Sequence, residues 1–523
     1  MDRRKFLLKG SLSLCAMGLS ANAFSHLLKA PSFMKTKTAA EDRILILLRM
    51  GGGNDSLNTV IPLDQYANLT IQRPNLIIPE SNLISLSGTN LALHPKMSGM
   101  ANMFEDGDLS IIQGVAAPTG RSHFRATKVW HTGIIDVNHP QKDAGWLGRA
   151  LDTQYPNFPE NYPNSNYEDP FAIAIQNRPT PTCEGHEGNF SFPIVKPNNV
   201  TNIIGGTSQG VPLSYNADHL KFLGIVGAHS NGYLKRIQNA TNSGNSISQN
   251  YGTDQLSTAF KNVARMISGG LKTKIYYINS GGFDTHGGQV SASDPTEGRH
   301  GPLLDKMSKA IKGFQEDMNA MGLNKRVIGM TYSEFGRQIA QNGSLGTDHG
   351  EASSMFMFGS CLSKQVVGNN PVISNTVKNG KALPKEIDYR DIYASVLRDW
   401  FGIDETDIEQ SFEDYGGVTY YDIISPCATF SSSTPTGKDD EKIQLYPNPS
   451  TEKINVTINV IEPGNLKFTI VTISGQRVTT YDKHVHLTGN HEFTIPTSKL
   501  ALGSYILIVQ APKQTERIKF IVR

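Results

Sequence analysis

The sequence predicts an α/β protein built on a doubly wound, mostly parallel sheet and followed by a small all-β sandwich. Three observations support this fold class. Continuous apolar runs such as 43–50 and 275–278 are typical of strands buried on both faces. Stretches with helical apolar spacing separate these runs, as expected of a parallel sheet with helices on both faces. After residue 443, short runs of alternating polar and apolar residues with glycine turns predict the sandwich.

Composition limits the class of protein. The chain has 523 residues, of which 38% are hydrophobic and 18% charged, a globular mixture long enough for two or three domains. The formal net charge of +2 gives no electrostatic case for nucleic-acid binding. None of the four cysteines forms a CxxC pair, which argues against a zinc–thiolate site. Because Cys15 lies in a predicted signal peptide, the other three allow at most one disulfide, whose pairing stays open.

The N-terminus has the layout of an export signal. Residues 1–23 begin with basic residues, continue with a mildly apolar stretch and end in Ala21-Asn22-Ala23. The pair Arg3-Arg4 resembles a twin-arginine signal, and the alternative is an ordinary secretory signal. We therefore expect export by the twin-arginine or the Sec translocase. Since no later stretch has 18 uninterrupted apolar residues, we expect no transmembrane segment in the mature chain.

The first apolar run, 43–50, ends in three glycines and Asp55. Open α/β sheets bind ligands at the carboxyl ends of their strands, so Asp55 is a candidate metal ligand. The alternative is that Asp55 caps the turn that follows.

A serine follows the next predicted strand, 109–115. Ser122 lies near the start of a predicted helix, where backbone N–H groups and the guanidinium of Arg121 suit an anion. A metal that lowers the pKa of the Ser122 hydroxyl would make it a nucleophile, and the alternative is a helix-capping serine. The neighbouring His123 and Arg125 receive no role. Residues 150–250 are rich in Asn, Pro, Gly and Ser and predict a loop-rich insertion or lid.

Regular spacing returns at residue 255, with predicted helices over about 255–268 and 303–318. Acidic and histidine residues follow or precede the apolar runs in this region. These candidate metal ligands are Asp284 and His286 after 275–278, Glu334 after 327–330, and Asp348 and His349 before 355–358. Carboxylate and imidazole groups suit zinc, manganese, magnesium or calcium. Although single motifs of this kind are commonly structural, their recurrence at strand ends predicts one shared divalent-metal site.

Six motifs carry a family resemblance over residues 40–425: GGGNDSLNTVIP, GRSHF, GWLGR, GGFDTHGGQ, SEFGR and GTDHG. In this order they resemble the domain-of-unknown-function 1501 family, DUF1501, which is grouped with the alkaline-phosphatase-like and sulfatase-like superfamily. The resemblance implies a metal site at the strand ends and hydrolysis or transfer of phosphate or sulfate esters.

The resemblance also implies roles for single residues. It implies Asp55 as a metal ligand, Ser122 as the nucleophile, and Asp284 with His286 as a later ligand pair. Two alignments of the next pair stay open. Asp348-His349 copies the letters of an Asp-His motif, whereas strand order favours Glu334 and His349. In the second alignment Phe335 replaces a histidine ligand, which argues against a full two-metal site. Arg121 or Arg337 would stabilise the anion, and the alternative for Arg337 is a structural salt bridge.

The end of the chain is a separate module. Residues 426–442 are rich in Ser, Thr and Pro and predict a linker. Residues 443–523 resemble the type A C-terminal sorting domain of the type IX secretion system, with an immunoglobulin-like adhesion module as the alternative. The resemblance implies recognition by that machinery, and secretion or attachment to the outer surface of a Gram-negative bacterium.

Two functions follow from these observations. The first is a secreted metal-dependent hydrolase of phosphate or sulfate esters, acting on a small-molecule or glycan ester. The second is a catalytically degenerate protein of the same fold that binds metal or glycan at the cell surface.

Overall fold

The computed structural model describes residues 42–160, 162–197, 217–378, 380–425, 427, 443–446, 450–460, 462–472, 477–485, 489–512 and 514–522. The predicted signal peptide and all of the predicted linker except Cys427 lie outside these ranges. The chain divides into two compact units, Met1–Ser431 and Ser432–Arg523. No helix among the described residues is long and apolar enough to cross a membrane.

The strands of the first unit are numbered along the chain. They are β1 Ile44–Gly51, β2 Val60–Pro62, β3 Ile84–Ser85, β4 Leu91–Leu93, β5 Leu109–Ala116, β6 Ala172–Ala174, β7 Ser191–Pro193, β8 Ile275–Gly281, β9 Val327–Tyr332, β10 Ser353–Phe358, β11 Val366–Val367 and β12 Ile387–Asp388.

The α-helices of this unit are numbered in the same way. They are α1 Tyr66–Gln72, α2 Ser98–Glu105, α3 His123–Thr132, α4 Trp146–Gln154, α5 Ala217–Ser243, α6 Gln255–Ser268, α7 His300–Ala320, α8 Tyr389–Ser395 and α9 Glu405–Ser411.

The central sheet has β1 in its interior. Its order is β11-β5-β10-β9-β1-β8-β6-β7, with β12 beside β5. Both β8 and β9 run parallel to β1, and Gly51 lies opposite Gly281, so β1 and β8 end at the same level. The prediction of a mostly parallel α/β sheet is confirmed. The exception is β10, which runs antiparallel to both β9 and β5.

The apolar run of β1 is buried because the sheet is covered on both faces. Ile46 and Leu48 pack into a core that includes Phe260 of α6 and Phe314 of α7. The alternate residues Leu45 and Leu47 pack on the other face, in a core with the aromatic residues Trp130, Trp146, Tyr393 and Trp400. Full burial of one such aliphatic side chain stabilises the fold by about 1.5–3 kcal/mol. Period-two alternation is therefore absent from this strand.

The two predicted helices around residues 255–318 are present as α6 and α7. Asp254 caps α6, because its carboxylate accepts from the backbone N–H groups of Leu256 at 2.9 Å and Ser257 at 3.1 Å. The loop-rich prediction for 150–250 is wrong for Ala217–Ser243, which forms the long helix α5. This helix contains several Asn, Ser and Gly residues, which are poor helix formers, so the sequence here does not predict a helix. Its second half is held by tertiary packing of Leu234 and Ile237.

One disulfide, Cys361–Cys427, closes a loop with a sequence separation of 66. Cys183 is free and buried, and burial raises the pKa of its thiol, which makes it unreactive.

Removal of the disulfide by Cys361→Ala/Cys427→Ala is expected to lower the free energy of unfolding by about 2–4 kcal/mol, because the open chain gains conformational entropy. Urea unfolding with and without dithiothreitol measures this. Reduced wild-type protein should match the double variant, and reductant should leave the variant unchanged. Equal urea midpoints for oxidised wild type and variant would show that the bond contributes nothing.

The second unit consists of antiparallel strands. They are β13 Ile443–Tyr446, β14 Lys453–Val460, β15 Gly464–Thr472, β16 Arg477–Val485, β17 Gly489–Pro496, β18 Gly503–Ala511 and β19 Gln514–Val522. They form two sheets, ordered β13-β14-β17 and β16-β15-β18-β19. Ile454 and Val456 from one sheet share a core with Phe468 and Leu507 from the other. The predicted all-β sandwich is confirmed.

Candidate metal centre

Five chain segments meet at the carboxyl edge of the central sheet. The segments after β1, β8 and β9 begin there, because these three strands are parallel. The segment before β10 also lies there, because β10 is antiparallel to β9 and starts where β9 ends. Since β5 is antiparallel to β10, its end leads into α3 at the same edge. The topology thus brings most of the predicted site residues to one edge.

Three imidazole rings converge on the carboxylate of Asp284. Its Oδ1 atom lies 3.2 Å from Nε2 of His286 and 3.3 Å from Nε2 of His349. Its Oδ2 atom lies 3.6 Å from Nε2 of His123. The Nε2 atoms of His286 and His349 are 2.8 Å apart. The four side chains are 20–46% exposed, so a ligand from solvent can reach them.

Each of the three rings shares its Nδ1 atom with an oxygen. The pairs are His286 with Oδ1 of Asp348 at 2.9 Å, His349 with the carbonyl oxygen of Arg121 at 3.0 Å, and His123 with Oε1 of Glu334 at 3.1 Å. Carbonyl and ionised carboxylate oxygens only accept hydrogen bonds, so each Nδ1 carries the shared proton. In the neutral form of such a ring, Nε2 then has a lone pair that faces Asp284. Metal-binding histidines have this arrangement of outer oxygen partners.

The donor set fits a divalent cation. Two Nε2 lone pairs at 2.8 Å repel each other unless a proton or a cation lies between them. Burial lowers the pKa of His349, which disfavours the proton. Ligand atoms at ~2.0–2.1 Å from a tetrahedral zinc ion lie about 3.3 Å apart. The contacts to Asp284 are close to this spacing. Three imidazole nitrogens and one carboxylate oxygen favour zinc over magnesium or calcium.

Arg337 holds the loops that carry these ligands. Its guanidinium is buried and donates to the carbonyl oxygens of Gly53 at 2.7 Å, Phe283 at 2.9 Å and Thr347 at 2.9 Å. It also donates to Oδ1 of Asp284 at 2.8 Å. Burial works to raise the pKa of Asp284, but the Arg337 guanidinium lowers it overall. Arg337 thus takes the structural role named as its alternative.

The glycine turn after β1 permits a close backbone contact with the Asp284 loop. Gly52 has φ +123°, and a Cβ atom there would lie 2.3 Å from the backbone nitrogen of Asp284. Gly53 has φ +87°, and its Cβ would lie 2.4 Å from the ring of Phe335. A side chain at either position would displace the site.

Gly52→Ala is expected to weaken metal binding at least about tenfold, because the clash moves the loop of Asp284. Gly107→Ala is a matched control, since Gly107 also has a positive φ of +79° but has open space around it. The control should cost about 1–2 kcal/mol in unfolding free energy and leave metal binding unchanged. Equal metal affinities for the two variants would contradict the close-packing account. Zinc titration against a chromophoric chelator measures the affinities.

The ring of Phe335 packs against two of the imidazole rings. Its centroid lies 4.4 Å from that of His349 and 4.9 Å from that of His123. The phenyl ring offers no donor atom. The neighbouring Glu334 and Asp348 hold ligand imidazoles through hydrogen bonds and are not in the converging set.

The structure places Asp55 in a different cluster. Its buried carboxylate accepts from Arg73 at 2.7 Å and from Gln289 at 2.5 Å. Burial works to raise the pKa of Asp55, but the Arg73 guanidinium lowers it overall. Among the contacts of the described residues, none links Asp55 to the converging imidazoles.

Ser122 and Arg121 lie beside the centre on the segment before α3. Ser122 is exposed and its side chain makes no capping hydrogen bond. The guanidinium of Arg121 donates to the carbonyl oxygen of Gly380 at 2.6 Å and lies 3.6 Å from Glu351. His123, the first residue of α3, received no role from the sequence and is part of the centre. The only available signal was its place directly after Ser122.

Two family models match the chain. Residues 239–414 match the family described as "Protein of unknown function (DUF1501)", and residues 444–523 match the "Secretion system C-terminal sorting domain". The chain is similar to the DUF1501 family over residues 239–414. That segment contains Asp284, His286 and His349, whereas Ser122 and His123 precede it. The predicted resemblances to DUF1501 and to a sorting domain are confirmed.

The solved structures that are similar to this chain share little sequence with it. A protein in the alkaline phosphatase superfamily from Vibrio parahaemolyticus is 10% identical over 86% of this chain and 84% of that chain, with a TM-score of 0.32. A sulfatase from a Pseudoalteromonas species is 10% identical over 86% and 83%, with a TM-score of 0.30. A phosphonate monoester hydrolase from Silicibacter pomeroyi is 9% identical over 92% and 89%, with a TM-score of 0.28. No protein of curated function matches the sequence.

Proposed function

We propose that this protein is an exported, metal-dependent hydrolase of phosphate or sulfate esters. The observation that carries the proposal is the convergence of three imidazole Nε2 atoms on Asp284, next to a helix start with an exposed serine. The sorting tail indicates secretion or surface attachment and supports an extracellular substrate.

His123, Asp284, His286 and His349 would hold the cation. A divalent cation bound there supplies Lewis-acid polarisation of an ester oxygen and lowers the pKa of a nearby hydroxyl group. Each of the other acidic groups of this edge has a hydrogen-bonded partner at one oxygen: Glu334 has His123, Asp348 has His286 and Asp55 has Arg73. Because only one set of imidazoles converges on a carboxylate among the described residues, we expect one metal ion per chain.

Ser122 would be the nucleophile. Its two neighbours in the sequence both contact the centre. The carbonyl oxygen of Arg121 is hydrogen-bonded to His349, and His123 is itself one of the converging residues. The free N–H groups of the first turn of α3 can bind an anionic ester. Arg125, an exposed residue in that turn, adds positive charge. The Ser122 hydroxyl would lose its proton to solvent and its oxygen would bond to phosphorus or sulfur, while the bond to the departing alcohol breaks and that alcohol takes a proton from water. A water molecule would then hydrolyse the serine ester and release phosphate or sulfate.

Ser122→Ala is expected to lower the turnover of an activated ester at least about 100-fold and to leave metal content unchanged, because the serine is not a ligand. Metal-loaded protein is assayed with 4-nitrophenyl phosphate and 4-nitrophenyl sulfate. The matched control is Ser81→Ala, which removes another exposed serine hydroxyl. Full turnover in the Ser122 variant would overturn its role as nucleophile.

One observation favours the second candidate, a glycan-binding protein without turnover. Phe124 follows His123 in α3 and is 85% exposed. An exposed aromatic ring beside a metal centre offers a face for the apolar side of a sugar ring. Metal-loaded protein that turns over neither ester but binds a glycan array, with binding lost in Phe124→Ala, would establish this candidate.

A further inference from the structure

A buried glutamine joins three loops at the carboxyl edge of the sheet. The side chain of Gln289 is 0% exposed, and both ends of its carboxamide are hydrogen-bonded. Its Nε2 donates to Oδ2 of Asp55 at 2.5 Å. Its Oε1 accepts from the hydroxyls of Thr285 at 3.0 Å and Thr347 at 2.7 Å.

Both threonines belong to loops that carry metal ligands. Thr285 lies between Asp284 and His286, and Thr347 lies two residues before His349. The backbone N–H of Thr347 also donates to the carbonyl oxygen of Thr285 at 3.3 Å. The side-chain oxygen of Gln289 therefore accepts a hydrogen bond from each of the two ligand loops.

The Asp55 carboxylate determines which way the carboxamide faces. Asp55 is 1% exposed and is held ionised by Arg73 at 2.7 Å. A carboxylate only accepts hydrogen bonds, so Gln289 must present its NH₂ group to Asp55. Its oxygen is then directed to the two threonines. The opposite orientation would place two oxygens together in a buried site.

We infer that Gln289 is a positioning residue for the metal centre and that Asp55 acts on the centre through it. This inference rests on the proposed metal centre. Outer partners that orient ligands change metal affinity by about 10–100-fold when removed. A glutamine that only satisfies buried polar groups would change stability and leave the affinity of the folded protein unchanged.

Thr347→Val tests the hydrogen bond between Thr347 and Gln289 with the smallest change to the protein. It removes one hydroxyl and leaves the Asp55–Arg73 pair intact. Thr273→Val is the matched control, since Thr273 is also buried and donates to the carbonyl oxygen of Pro170 at 2.7 Å, a group with no link to the ligand loops. Zinc affinity is measured by competition with a chromophoric chelator. We expect zinc binding to be about tenfold weaker in Thr347→Val and unchanged in the control.

An exchange of donor and acceptor tests the direction of the link. Gln289→Glu places a carboxylate against Asp55, and Asp55→Asn removes the carboxylate that Gln289 needs. Each change alone is expected to weaken zinc binding about 10–100-fold and to alter the visible spectrum of the cobalt(II)-loaded protein. The double variant Asp55→Asn/Gln289→Glu restores one amide and one carboxylate, and should recover most of the affinity.

The outcomes separate the inference from the proposed function. If wild-type protein binds zinc and all these variants have wild-type affinity and cobalt spectra, the inference is overturned while the metal centre stands. The same holds if the double variant is no better than the singles. If folded wild-type protein binds no zinc, the metal centre is overturned and the inference with it.

Discussion

Replacement of His349 with alanine is expected to reduce the metal retained by purified protein from about one equivalent per chain to nearly none. The ring supplies an Nε2 atom 2.8 Å from that of His286 and 3.3 Å from Asp284. Without this ring, three of the four proposed ligands remain and one coordination position is empty. The expected drop in zinc affinity exceeds the 10–100-fold effect typical of outer partners.

The measurement is metal content by plasma mass spectrometry after zinc loading and dialysis. His186→Ala is the matched control, because His186 is an exposed histidine of the same unit. The control should retain the wild-type amount. A His349→Ala protein that is folded and keeps its full metal content would exclude His349 as a ligand.

Replacement of Arg73 with methionine is expected to lower the free energy of unfolding by about 3–5 kcal/mol, because the Asp55 carboxylate then stays buried without its cation. Arg73 is fully buried and also donates to the carbonyl oxygens of Ile339 at 2.6 Å and Gln338 at 2.7 Å. Urea unfolding at pH 7 measures the change. The double variant Arg73→Met/Asp55→Leu should be more stable than Arg73→Met, because it removes both charges. A decrease in the free energy of unfolding of less than about 1 kcal/mol would contradict the claim that Arg73 stabilises the buried Asp55 carboxylate.

The pH dependence of this pair has a definite sign. In the wild type, Arg73 holds the pKa of Asp55 below its ordinary 3.8, so the pair's contribution is present above that pH and is lost as pH falls through the lower value. In Arg73→Met, burial is the largest remaining influence on Asp55, and it raises the pKa of that carboxyl. Acid should then protonate Asp55 in the folded variant. The stability difference between the two proteins is therefore expected to narrow as pH falls from 7 toward about 4.

The sequence predicts the sheet edge and much of the centre because both depend on local patterns. An apolar run followed by a polar loop marks a strand end, and parallel strands end at the same edge. Asp284 and His286 were found in this way. His349 was found because strand order placed it before β10, although the antiparallel direction of β10 was not predicted.

The remaining site residues depend on contacts between distant segments. His123 joins the centre because Glu334 holds α3 in place: its carboxylate accepts from the His123 ring, and its carbonyl accepts from the indole of Trp130 at 2.9 Å. Asp55 lies outside the converging set, and its Oδ2 atom accepts from Arg73 and Gln289. Neither contact has a local sequence signal.

The nature of the centre can be measured directly by zinc K-edge X-ray absorption of the metal-loaded wild-type protein. The structure predicts one zinc ion per chain, bound by about three imidazole nitrogens and one carboxylate oxygen at ~2.0–2.1 Å. His123→Ala should lose one imidazole from the spectrum. A zinc site without imidazole scattering, or protein that binds no zinc, would contradict a metal centre at Asp284.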